Sequence, residues 1–252
     1  MYKLVMKKLI SLILTLSLFF PLFRNDFKDK QLQYRKVRTA YEEKEEYLKG
    51  LLKEKEINNF SFDMFIRAFK DEEKFEVWVK KKNQKTYQLL KTYDICTTSG
   101  VLGPKRREGD LQIPEGVYYV NNFNPFSSYY LSLGINYPNA SDKILGYKPG
   151  LGGNIYIHGS CVTIGCIPLT NDKIKEVYVL AVEAKNSGQN KIPVHIFPYR
   201  MNDENNDVFF DEYSHDTTLT SFWNNLIPIY SYFETYKKNP SSRVNKEGIY
   251  YF

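Results

Sequence analysis

Between residues 62 and 201 the chain advances in short β-type runs, and this texture limits the possible fold more than any other feature. "MFIRAF", "FEVWVKK", "TYQLLKTYDICTTSG", "GVYYVNNF", "YYLSLGINY", "NIYIHGS" and "IPVHIFPY" are each closed by glycine or polar punctuation, as strands are. One stretch differs. "TNDKIKEVYVLAVEAKNSG" has helical spacing, with Thr170 or Asn171 placed to cap its start and Gly188 just past its end. The sum predicts a mainly β (α+β) domain over 62–201, a β-sandwich or barrel-like sheet with one packed helix. At 252 residues the chain can hold one such core with appendages, not two equal domains. Its 21 Tyr and 17 Phe suit a sheet and argue against disorder.

Both flanks read as helical. Residues 25–61 form an expected helical linker, with Glu and Lys at helical spacing around Leu32, Val37, Tyr41, Leu48 and Leu52 and a mostly solvated charged face. Residues 202–252 form an expected C-terminal helical extension. Its acidic, Asn-rich start leads into "TTLTSFWNNLIPIYSYFETYKK", where Leu219, Phe222, Trp223, Leu226, Tyr230 and Phe233 recur at helical spacing and Pro228 predicts a kink. The final "NPSSRVNKEGIYYF" carries no clear signal.

In residues 1–24, Lys3, Lys7 and Lys8 precede the apolar "LISLILTLSLFFPLF", the pattern of a secretory signal peptide. The run is shorter than the ~20 residues of a membrane span, and no small-x-small cleavage site follows, so an uncleaved N-terminal anchor is the competing reading. Either places the remainder outside the cytoplasm, in the periplasm or cell envelope, touching membrane only through this segment. The net charge of +6 is modest, and basic runs such as Lys80-Lys81-Lys82 are short, so no nucleic-acid partner is expected.

Chemistry concentrates in "IYIHGSCVTIGCIPLTND". A thiol is a nucleophile only as thiolate, so a catalytic cysteine needs a nearby base, and His158 and Cys166 can form that pair across a loop. Gly165 lets backbone approach a substrate carbonyl, with neighbouring N–H groups available to an oxyanion, and the Thr163 hydroxyl is placed to fix the loop. Three other readings stand beside this one. A zinc site would use His158, Cys161 and Cys166 with Cys96, His195 or His215 as the fourth ligand. A disulfide in an exported chain would pair Cys96 with Cys161 and leave Cys166 free, although three reduced thiols fit equally. Cys96, after the apolar "YDI", also suits a plain buried residue. His195 and His215 read as structural or surface residues.

The segment 99–120, "SGVLGPKRREGDLQIPEGVYYV", is too long for a hairpin turn and rich in Gly, Pro and charge, the signature of a shaped loop beside a site.

These stretches together resemble the L,D-transpeptidase catalytic domain of the YkuD type, in its murein L,D-transpeptidase branch. The likeness is carried by residues 99–118, by "NPFSSYYLSLGINYPNASD" at 124–142 and by "IHGSCVTIGC" at 157–166, and it extends over about 65–201. It implies a cysteine nucleophile at Cys166 and an activating histidine at His158, with Gly159, Thr163 and Gly165 at other motif positions. It implies as substrate a peptidoglycan tetrapeptide stem, attacked at its third-residue (diaminopimelate) carbonyl, and no metal or organic cofactor. The acceptor would be an amine, giving a 3→3 cross-link or an attached envelope lipoprotein, or water, as in relatives that release such a lipoprotein. Lys105, Arg106, Glu108 and Asp110 are the candidates for reading the zwitterionic diaminopimelate end. The broad family pattern has histidine two before the cysteine and arginine two after it, where this chain has Ile164 and Pro168. The narrower branch also lacks that histidine. An inactive, membrane-anchored wall-binding module is the expectation from a different class.

Overall fold

The computed structural model describes residues 26–252. The expected signal or anchor segment, 1–24, therefore lies outside the described residues. In chain order the elements are α1 (Phe27–Leu32), α2 (Arg35–Glu54), β1 (Phe62–Phe69), β2 (Lys74–Lys81), β3 (Gln88–Asp94), β4 (Gly116–Asn124), β5 (Ser132–Ile135), α3 (Ala140–Leu145), β6 (Tyr156–His158), β7 (Ile167–Pro168), α4 (Asn171–Asn186), β8 (Pro193–Phe197), α5 (Asp203–Glu212), α6 (Thr217–Tyr236), β9 (Arg243–Val244) and β10 (Tyr250–Tyr251). β1 to β8 form one mixed sheet in the order β3-β2-β1-β8-β4-β5-β6-β7, curved into a half-barrel, and β9 pairs with β10 separately. β1/β8 and β6/β7 are parallel, and the other neighbours are antiparallel.

The central strands are apolar on both faces because both faces are covered. On β1, Phe62, Met64, Ile66 and Ala68 enter the main core beneath α4, whereas Phe65 and Phe69 alternate to the other face. That second face is closed by α6 through Phe222, Trp223, Leu226, Ile229 and Tyr230. α4 starts at Thr170, whose hydroxyl accepts from Lys173 N–H at 3.2 Å, so of the two expected caps it is Thr170 that acts.

The N-terminal flank, expected as a helical linker with a mostly solvated charged face, docks its apolar stripe on the domain. α2 buries Val37, Ala40, Tyr41, Leu48 and Leu52 against α4, in the same core as the strands. Tyr41 donates to Glu183 at 3.0 Å, and Lys44 pairs with Asp172. The apolar positions read from the sequence, Val37, Tyr41, Leu48 and Leu52, are the ones that meet the core, beneath the dense Glu/Lys face. At the other end the acidic segment folds as α5, capped by Asn202. α6 runs as one helix through Pro228, which does not divide it. The stretch without a sequence signal is the β9–β10 hairpin, turned by Asn245, whose Oδ1 accepts from Glu247 and Ile249 N–H. Among the described residues no helix is long and apolar enough to cross a membrane.

Candidate active site

β6 is only three residues long, and its position between β5 and β7 sets the site. His158, its last residue, lies opposite Ser132 on β5 and Pro168 on β7. The parallel register Ile157↔Ile167 brings Cys166, just before β7, beside Tyr156. The Tyr156 N–H donates to the Cys166 sulfur at 3.4 Å, and the thiol donates to the Asn154 carbonyl at 3.8 Å. His158 and Cys166 line one cleft of about 590 Å³. Leu111, Tyr129, Val162 and Ile164 form its apolar rim, with Ile164 78% exposed.

The loop joining the two residues is held at every turn. At Gly159 a Cβ would sit 2.6 Å from Asn171 Oδ1 and 2.9 Å from the Tyr129 carbonyl, so only glycine fits this approach. Asn171 Oδ1 accepts the Ser160 N–H at 3.0 Å, which is why it does not cap α4. Cys161 is bonded to Cys96, 65 residues away, and Cys166 is the free cysteine. The bridge resolves the sequence alternatives and takes Cys161 out of the three-ligand zinc set. Thr163 Oγ1 accepts from both Gly165 N–H (3.1 Å) and Cys166 N–H (2.8 Å) and donates to the Cys166 carbonyl (2.8 Å). The N–H groups expected to face an oxyanion are thus committed to Thr163. Gly165 has φ +132°, where a side chain would be strained, and a Cβ there would come within 3.0 Å of the Gln112 carbonyl.

His158 is 2% exposed. Its Nδ1 lies 2.5 Å from the Gly159 carbonyl, which fixes the proton on Nδ1 and leaves Nε2 as the basic nitrogen. The Tyr129 ring lies over the imidazole, with centroids 4.7 Å apart and planes 32° from parallel. Burial depresses the imidazole's pKa, only partly offset by the Gly159 carbonyl. Burial also raises the Cys166 thiol, against the Tyr156 N–H and the Lys105 charge. Both shifts favour a resting pair that is neutral, thiol and imidazole, not thiolate and imidazolium.

The four charged candidates of the long loop divide in two. Lys105 and Glu108 line the cleft. Arg106 and Asp110 do not. Arg106 lies over the Phe222 ring and reaches buried Asp142 at 3.4 Å. Asp110 accepts from the Arg106, Arg107 and Gln112 N–H groups and from Lys105 Nζ at 2.6 Å, which holds its carboxyl below the usual range.

The residues that shape this loop escaped the sequence reading. Lys70, 5% exposed, donates to the carbonyls of Val101, Gly103 and Ile113 and to Glu115, which is fully buried. Glu115 also accepts the Gly103 N–H at 2.6 Å and the Trp223 indole N–H, from α6, at 2.9 Å. Beside it, Asp142 and Asn139 form a reciprocal cap on α3, Tyr118 donates to Asp142 at 3.0 Å, and burial pushes the Asp142 pKa up to about 6. Lys70 carried no signal. Glu115 and Asp142 fall within the matched motifs, yet nothing local marks them as buried. His195 is enclosed between Phe65 and Phe197 with neither ring nitrogen hydrogen-bonded, and burial lowers its pKa to about 3. His215 is exposed.

The sequence family model described as the L,D-transpeptidase catalytic domain, YkuD, matches residues 66–196. The protein named "Putative L,D-transpeptidase YafK" is 42% identical over 183 residues in Escherichia coli K12 and equally so in strain O157:H7, covering 72% of this chain and 70% of the relative. Among solved structures, the helical cell shape determining protein Pgp2 of Campylobacter jejuni is 20% identical with a TM-score of 0.44, over 79% of this chain and 80% of that one. Bd1075 of Bdellovibrio bacteriovorus is 23% identical with a TM-score of 0.39, over 66% and 58%. The family match over more than half of the chain, with the YafK relatives, establishes that this protein belongs to the YkuD family of L,D-transpeptidase catalytic domains.

Proposed function

We propose that the protein is a cell-envelope acyltransferase that opens peptidoglycan tetrapeptide stems through a Cys166 thioester. The observation that carries this reading is the free Cys166 thiol and the Nδ1-protonated His158 on one cleft. From the neutral pair, His158 Nε2 takes the thiol proton as sulfur attacks the carbonyl of the stem's third residue. The tetrahedral intermediate collapses to the thioester as His158 returns the proton to the departing D-alanine amine. An acceptor amine, or water, then attacks the thioester and restores the thiol. Lys105 and Glu108, of opposite charge on the cleft wall, are suited to a zwitterionic diaminopimelate end. The Cys96–Cys161 bridge fits an oxidising compartment outside the cytoplasm.

The test is D-alanine release from tetrapeptide muropeptides, followed by mass spectrometry of the products. Cys166→Ala should abolish release, and a variant that released D-alanine at the parent rate would overturn the assignment. Cross-linked products identify an amine acceptor, and shortened stems or freed protein identify water. A wall-binding module without activity would bind sacculi while Cys166 took up no thiol label. Because burial depresses the His158 pKa, activity should hold below pH 6.5 before falling as the base protonates.

A further inference from the structure

Among the described residues no carboxylate meets the imidazolium that forms at His158 during catalysis, and the ring's hydrogen bond goes to the neutral Gly159 carbonyl. A buried charge needs compensation. The group placed to give it is the ring lying across the imidazole face. We infer that Tyr129 is a positioning residue for the base, its π face holding the His158 ring plane and stabilising the imidazolium through a cation–π contact. The inference rests on the reading of His158 as the base of Cys166.

Tyr129 is held as a built element is. It lies in the loop joining β4 to β5, where its N–H donates to Ser127 Oγ at 3.0 Å. Lys36 of α2 clamps the Ser127 carbonyl at 2.8 Å, and Tyr34 packs edge-on against Phe126 at 4.6 Å. On the far side, the Gly159 N–H donates to the Leu131 carbonyl at 3.2 Å, and glycine at 159 lets the Tyr129 carbonyl approach. Yet Tyr129 itself stays 47% exposed. Packing alone gives no reason to fix the backbone of a half-exposed residue from two sides. The other titratable groups facing this cleft are Cys166 before β7, Tyr156 on the same strand as His158, and Lys105 and Glu108 on the opposite wall.

The test is the NMR titration of labelled imidazoles in the full chain, which has three histidines, for the parent, Tyr129→Phe and Tyr129→Leu. The leucine variant should lower the His158 pKa by about half a unit to one unit, and the phenylalanine variant, which keeps the ring, should leave it near the parent value. Alkylation of Cys166 by iodoacetamide near neutral pH should slow by roughly three- to tenfold in the leucine variant alone. His195 reports folding, because it stays neutral while the core is intact. An unchanged His158 pKa in Tyr129→Leu, or an equal fall in Tyr129→Phe, overturns the inference. The titration uses no substrate, so its failure is separate from a failure to release D-alanine: turnover with an unmoved pKa sinks the ring's role alone, and a moved pKa without turnover sinks the substrate assignment alone.

Discussion

Two loops build the same cleft by different chemistry. The long loop before β4 is organised from beneath by buried charge, with Lys70 and Glu115 gathering its carbonyls and N–H groups and Asp110 and Asp142 completing the frame. The loop after β6 has no buried ion pair of its own and is held by a disulfide, the Thr163 hydroxyl and the Asn171 amide. The contrast teaches that charge density in a loop beside an active site is not by itself a sign of substrate binding. Of the four charges singled out from sequence, Arg106 and Asp110 hold the loop, Lys105 both lines the cleft and ties the loop through Asp110, and Glu108 lines the cleft.

The sharpest way to break the comparison is at Glu115. Glu115→Leu leaves Lys70 buried without its carboxylate, and the Gly103 and Trp223 N–H groups without an acceptor, so urea denaturation should show a loss of about 3–5 kcal/mol. Lys70→Met combined with Glu115→Leu should recover part of that loss. A double variant as weak as the single one would mean that the carbonyl contacts, not the pair, carry the loop. In the second loop, Cys96→Ser with Cys161→Ser should cost about 2–4 kcal/mol in the same measurement, because a 65-residue separation is freed in the unfolded chain.

The loops should also respond to pH with opposite sign. Asp142 has a folded pKa of about 6 against an ordinary value of 3.8, so its contribution is fully present below pH 3.8 and is lost as pH rises through 6. Over that window it changes stability by up to about 3 kcal/mol, and Asp142→Asn should remove the slope. His158, with a depressed folded pKa, contributes stability above pH 6.5 that is lost as pH falls, so His158→Gln should flatten the acid side. Parallel slopes in the two variants would erase the distinction. The smallest expected effect is at Thr163. Thr163→Val strands the Gly165 and Cys166 N–H groups at a cost of about 1–2 kcal/mol, with a larger fall in kcat than rise in KM, and Thr163→Ser should restore both.

What could be read from the sequence was local. The strand punctuation and the Thr170 cap are properties of a few consecutive residues, and the sheet follows from them, whereas the spacing of His158 and Cys166 leaves metal, disulfide and dyad open until the resemblance carried by residues 99–166 orders them. What could not be read depends on distant partners. Lys70 meets Glu115 across 45 positions and Trp223 meets Glu115 across 108, so nothing near any of them announces burial. The apolar positions of α2 are visible in the sequence, but nothing local to them says that the surface they meet is α4. Arg106 and Lys105 are adjacent and alike in charge, and only the packing of Phe222 and Asp142 separates their directions.

The indole of Trp223 bears on the order in which the molecule assembles. Glu115 takes one hydrogen bond from a residue near the start of the sheet and another from the last long helix, so its loop completes its polar contacts only after α6 has docked. Contacts of such long sequence separation form late and slowly. A partly made chain can therefore carry its thiol and imidazole while the opposite wall of the cleft is still unformed, so the finished cleft is among the last features the folding protein acquires.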